Sequence, residues 1–125
     1  MNDHVKAYLS DIIHYANNVI QFTAGRIFDQ YVEDEYFRSA VERQLELMAD
    51  SVRELLRAAP EYEQSITHAR RIADFRNRLA HGYRTLIDQI VWDVATTYVP
   101  LLHTEVASLF QALDAGQPGT AETEE

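Results

Sequence analysis

Residues 35–59 read EYFRSAVERQLELMADSVRELLRAA. Phe37, Val41, Leu45, Met48, Val52, Leu55 and Leu56 recur at steps of three and four, which is one stripe of a long amphipathic helix. Pro60 follows at once and closes it, because proline lacks the amide a further turn requires. A helix of this length needs partners for its stripe, and the flanking sequence provides them. Upstream, Val5, Tyr8, Leu9, Ile12, Ile13, Ala16, Val19 and Ile20 form a second stripe over about five turns. Asn2 or Asp3 is placed to cap its start and Gly25 to end it. Residues 26–34 connect the two, with Ile27, Phe28, Tyr31 and Val32 expected to plug the end of the bundle. Downstream, a third helix is predicted from about Glu63 to Ala80, stopped by Gly82. A fourth starts near Thr85, a plausible N-cap, with Ile87, Ile90, Val91, Val94 and Tyr98 inward. Pro100 should kink or break it before Leu101, Leu102, Val106, Leu109, Phe110 and Leu113 continue an apolar face. The expected fold is an all-α, up-and-down four-helix bundle over residues 1–113. Residues 114–125, DAGQPGTAETEE, are expected to form a disordered acidic tail. Trp92 falls off the inward stripe beside Ala95 and Val99, a position that suggests a subunit contact and hence a homodimer, with a lid contact within the bundle as the alternative.

The whole chain has 125 residues, which is one domain's worth. Its 11 Lys+Arg against 20 Asp+Glu give a net charge of -9, an unpromising balance for a general nucleic-acid coat protein. The charge is uneven, however. Arg70, Arg71, Arg76, Arg78 and Arg84 lie within fifteen residues, with Asp74 the only acid among them, a local +4. The absence of cysteine excludes disulfides and thiolate chemistry. Lys6 is the only lysine, so Schiff-base chemistry has one weak candidate. No run of about 18 apolar residues is present, which argues against a membrane span. No signal peptide is readable, and a cytoplasmic location is expected. Asp11 and His14 have carboxylate–histidine spacing, but a bundle metal site needs a second such pair, so no metal or other cofactor is expected.

The basic island ends in Asp74-Phe75-Arg76-Asn77-Arg78-Leu79-Ala80-His81-Gly82-Tyr83. At about 100° per residue, Arg76 falls among Ala69, Ile72, Ala73, Leu79 and Ala80 on the apolar face. An arginine there either meets a carboxylate or lines a cleft. Asn77 and His81 are four residues apart on one side, where the amide could orient the imidazole. Arg76 and His81 are about 140° apart on an ideal helix. They converge only if the long arginine reaches across, the helix ends, or a second subunit completes the site. Singly, each has a structural reading: a charge–dipole contact for His81, a solvated surface for the arginines, core filler for Tyr83.

Together, Arg76, His81 and Tyr83 resemble the R-x(4)-H-x-Y signature of the HEPN superfamily, and specifically the HepT-like toxins of HEPN/MNT toxin–antitoxin pairs. The Gly25 turn, the acidic connector to Asp34, Arg43-Gln44-Leu45-Glu46, Ile90-Val91-Trp92 and Pro100 extend the similarity over roughly residues 5–113. The resemblance implies a metal-independent endoribonuclease, acting as a homodimer whose cleft forms where the two motif helices meet. His81 and Arg76 would be catalytic with Asn77 beside them, while Arg70, Arg71, Arg78 and Arg84 would guide the RNA. Tyr83 would accept AMP from a cognate minimal nucleotidyltransferase antitoxin, which inactivates the toxin. Where many relatives carry Gly-Glu, this chain has Ala49-Asp50, so the carboxylate is retained on a shorter arm. Asp50 and Glu46 are candidates for polar support of the site, or else lie on a solvated face. The alternative function is a non-catalytic HEPN dimer that binds a minimal nucleotidyltransferase.

Overall fold

The computed structural model describes residues 2–81 and 87–116. The elements run α1 (Asn2–Thr23), α2 (Phe28–Glu33), α3 (Glu35–Ala58), a 3-10 turn (Pro60–Gln64), α4 (Ala69–His81), α5 (Asp88–Asp93), a π turn (Val94–Tyr98) and α6 (Val99–Gly116). Every described element is helical, and α1 packs against both α3 and α6 while α3 also carries α4. The two stripes that define the bundle are buried as their spacing requires. Leu9, Ile12, Ala16 and Val19 face Val41, Leu45, Met48, Val52 and Leu55 in the solvent-free core, each large side chain contributing about 1.5–3 kcal/mol by burial.

Local chemistry explains the joints. Gly25 takes φ +72, a left-handed conformation that glycine adopts without cost. Asn2 and Asp3 both lie within α1 rather than before it, with Asp3 in the first turn, where its charge suits the helix N-terminus. Asp34 caps α3 by accepting the Phe37 amide at 3.0 Å. Pro60 ends α3 and opens the 3-10 turn, where its missing amide is not needed.

The third helix begins later than its sequence predicts, at Ala69 rather than Glu63. Ser65-Ile66-Thr67 interrupts it, since β-branched residues are weak helix formers. Glu105 of α6 then accepts the Thr67 amide at 2.9 Å and the Thr67 hydroxyl at 2.6 Å. The next residue, His68, is held at φ 59. The expected Gly82 stop and Thr85 cap lie outside the described residues.

The connector helix α2 closes one end of the bundle, but only in part as expected. Tyr31 is fully buried, whereas Ile27 and Val32 face solvent. Tyr31 is 5.3 Å from Trp92 and 5.8 Å from Phe37, ring centre to ring centre. That cluster decides which face of the last helix points inward, and it turns the expected one in part: Val94 still packs half-buried against the core. Trp92 is 8% exposed and Ala95 and Val99 are buried, while Ile87 is 55% exposed and Ile90 and Tyr98 are open to solvent. Val91 is buried as expected. Both stripes are apolar, so periodicity alone does not choose between them; the indole, needing a large enclosed site, does. Trp92 is therefore a core residue of its own chain and not a subunit contact.

The interruption expected at Pro100 takes the form of the π turn just upstream. The Val99 amide donates to the Val94 carbonyl, a five-residue step. This widened turn accommodates the proline ring without a break, and α6 runs on to Gly116. Asp114 pairs with Lys6 at 2.8 Å, so residues 114–116 belong to the bundle and not to the tail. Residues 117–125 lie outside the described ones. Among the described residues, no helix is long and apolar enough to cross a membrane.

Tyr31 also makes stability depend on alkaline pH. Its hydroxyl donates to Glu42 Oε2 at 3.0 Å, and burial, with the Glu42 charge next, pushes the phenol well above its usual value. The unfolded phenol loses its proton near pH 10 while the folded one keeps it. The unfolded state then holds fewer protons, so stability is intact below pH 10 and falls above it. Tyr31→Phe is expected to cost about 1 kcal/mol at pH 7 and to flatten this fall. Urea unfolding at pH 7 and pH 10.5 measures both; an equally steep loss in the variant would refute the assignment.

Candidate active site

Arg76 to His81 of the motif occupy the last two turns of α4, and the packing of α4 on α3 determines what surrounds Arg76. Ala69, Ile72, Ala73 and Leu79 are buried against the bundle, as their phase requires. Arg76 is on the same face and is partly shielded. Its Nε lies 3.4 Å from Asp50 Oδ1 of α3, with 26% of its side chain exposed. Arg76 Nη1 donates to Asn77 Oδ1 at 3.4 Å. The arginine that the sequence leaves a choice of carboxylate or cleft thus meets a carboxylate at the edge of the protein.

Asp50 also accepts from Arg53 Nη2 at 3.0 Å. One carboxylate is shared by two guanidinium groups, so the cluster keeps a net positive charge. The Nε of Arg76 is solvent-shielded and makes no hydrogen bond among the described residues; the Asp50 contact is an ion pair that is not aligned as a hydrogen bond. This fixes the stem of Arg76 and leaves terminal N–H donors for an incoming anion. Asn77 is exposed, and with Oδ1 engaged by Arg76 its free capacity is that of an NH2 donor. Glu46 does not join this group: it pairs with Arg43, 3.5 Å away on the same helix.

His81 is the final residue of α4, and Tyr83 and Arg84 lie outside the described residues. Of the remaining basic residues, Arg70 pairs with Glu63 at 3.2 Å, both side chains about half exposed. Such a pair is worth at most about 1 kcal/mol, so a phosphate can displace it. Arg71 and Arg78 turn to the other flank of α4, where they border a cleft of about 520 Å³ against α5 and the π turn. Asp11 and His14 gain no further ligands: His14 packs edge-on against Tyr15, and among the described residues no group of three or more candidate ligands is placed to hold a metal.

The HepT-like ribonuclease family model matches residues 12–109. The chain belongs to the HepT-like ribonuclease family. Its matched region runs from the first stripe through the motif helix to α6, so it includes both sides of the Arg76–Asp50 contact. Among curated relatives, a protein of Methanocaldococcus jannaschii named as a candidate RNase is 29% identical over 115 residues, covering 88% of this chain and 90% of its own length. A second so named from the same organism is 24% identical over 110 residues, with 88% and 90% covered. A third, from Caldanaerobacter subterraneus, is 26% identical over 106 residues, with 85% and 94% covered. No solved structure matches significantly. As a HepT-like chain, the protein carries the expected HEPN bundle, and Asp50 is the candidate residue whose contact the sequence left open. The sequence offered the carboxylate on α3 and the arginine on the apolar phase of α4, but not their meeting, which depends on how the two helices cross.

Proposed function

We propose that this HepT-like chain is the toxin of a HEPN/MNT toxin–antitoxin pair, a metal-independent endoribonuclease that acts as a homodimer. The observation that carries this reading is Arg76, held by Asp50 at the end of the motif helix with Asn77 on its guanidinium. RNA cleavage through the 2′-hydroxyl requires a group that takes the 2′ proton. It also requires a donor for charge growing on phosphorus and a proton for the departing 5′ oxygen. Histidine, with an unperturbed pKa of about 6.5, can hold or release that proton near neutrality, and this role falls to His81. As the 2′ oxygen bonds to phosphorus and the bond to the 5′ oxygen breaks, Arg76 donates to the equatorial oxygens. Asn77 donates to phosphate or to the neutral imidazole. Arg70, Arg71, Arg78 and Arg84 attract the strand.

The dimer reading draws on the family resemblance, since Trp92 does not support it. Two motif helices meeting would double the basic island while the rest of the surface stays acidic, which favours a bound strand over indiscriminate adsorption.

Tyr83, two residues beyond His81, is the AMP acceptor in this reading. The phenol oxygen bonds to the α-phosphorus of ATP held by the nucleotidyltransferase as pyrophosphate leaves, and each AMP adds bulk and negative charge two residues from His81 in the chain, which repels RNA. Co-expression with a minimal nucleotidyltransferase encoded beside this chain is expected to add AMP-sized mass increments to the wild type and none to Tyr83→Phe, as read by intact mass spectrometry. An unmodified wild type, or equal modification of the variant, would refute the assignment.

A further inference from the structure

The cleft on the other flank of α4 has a chemistry that the motif does not use. We infer that it binds one base of the RNA, a base carrying an exocyclic amino group, beside the nucleotide being cut; this rests on the ribonuclease reading above. Its size, about 520 Å³, is in the usual range for a small-ligand site. Phe75 on α4 and Tyr98 on the π turn provide aromatic surface, with Tyr98 open to solvent. Stacking on such rings is the commonest way a protein holds an unpaired base.

The rim is polarised in a manner that suits a nucleotide. Arg71 and Arg78 stand on the α4 side, where phosphate would lie, with Asp74 between them offsetting part of their charge. Asp93 stands on the α5 side. One of its oxygens accepts from Gln89 at 2.8 Å, and a carboxylate has capacity for more donors. The exocyclic amino group of adenine, cytosine or guanine offers two such donors, whereas uracil has only its ring N3–H, flanked by two carbonyl oxygens that a carboxylate repels. Arg78 follows Asn77 directly in the chain, about 100° further round α4, on the side that borders the cleft.

The wall is also held in place. His68 lines the cleft and packs edge-on against Tyr98, ring centres 5.4 Å apart at 80°. Its left-handed backbone costs energy for a non-glycine residue and persists because Glu105 grips Thr67 on one side while α4 starts on the other. The aromatic surface is thereby fixed before any ligand arrives.

The test uses the full chain and 2′-O-methyl RNA hexamers of adenosine or uridine, which have no free 2′-hydroxyl and so are not cut by this route. Fluorescence anisotropy gives affinities and sizing chromatography gives the oligomeric state. Wild type is expected to prefer the adenosine hexamer by about 5-fold or more. Tyr98→Ala should weaken it by about 5-fold or more and Tyr98→Phe should restore it. Asp93→Ala, which removes the acceptor, should bring the two hexamers to near-equal affinity, and Arg71→Ala should weaken both and lower the salt dependence. Unchanged affinity in Tyr98→Ala overturns the proposal. So does a smaller species in that variant, because a second copy of the chain would then be what covers this face. The two readings fail separately. Cleavage by wild type with no Tyr98 effect on binding removes the cleft alone, whereas Tyr98-dependent binding without cleavage removes the ribonuclease alone.

Discussion

Replacing His81 with alanine is expected to lower the rate of RNA cleavage by about 10²–10⁴-fold, the range lost when a positioned acid or base is removed. The residue ends α4, in the terminal turn where helices commonly fray. A histidine at a helix C-terminus contributes roughly 0.3–1 kcal/mol when charged. The variant should therefore keep its urea midpoint to within that amount while its activity collapses. KM should change little, because the imidazole acts on the proton being transferred and the arginines provide most of the attraction for phosphate. A variant that loses activity and unfolds together would show His81 to be structural.

Arg76→Lys is expected to reduce kcat by about 10²–10³-fold, nearly as much as Arg76→Ala. Charge is retained in the lysine variant, so a purely electrostatic role would be largely rescued. The structure requires more than charge: the side chain must reach Asp50 with one nitrogen and present others outward. An ammonium is a single point of charge without the planar fork that does both. Stability should fall by no more than about 1 kcal/mol, since the Asp50 pair is partly exposed and Asp50 retains Arg53. Steady-state kinetics with chemical unfolding of the same preparations separate the two effects. Near-wild-type kcat in Arg76→Lys would contradict the assigned role.

How far the chain could be read in advance differed from element to element. The stripes of α1 and α3 were legible because each is apolar on one face only, so spacing has a single solution. The last helix carries two apolar stripes, Ile87–Ile90–Val91–Val94–Tyr98 and Trp92–Ala95–Val99, and spacing cannot rank them. The choice depends on Tyr31 and Phe37 meeting Trp92, contacts between residues more than fifty positions apart. The late start of α4 was hidden for a similar reason, since the Glu105 clamp on Thr67 comes from α6. In the site, Arg76 announced itself as a charge on an apolar phase. Asp50 could be suspected but not paired, because its distance from Arg76 depends on how α3 and α4 cross. The cleft beside α4 was not legible at all: Tyr98 was expected inside, and His68 has no spacing signature.

Cleavage through the 2′-hydroxyl by this chain's own side chains is recorded in the chemical ends of the products. Purified wild-type protein incubated with RNA in excess chelator is predicted to leave a 2′,3′-cyclic phosphate on one fragment and a 5′-hydroxyl on the other, with His81→Ala leaving the RNA intact. Products ending in 3′-hydroxyl and 5′-phosphate, or cleavage that vanishes with the chelator, would contradict it.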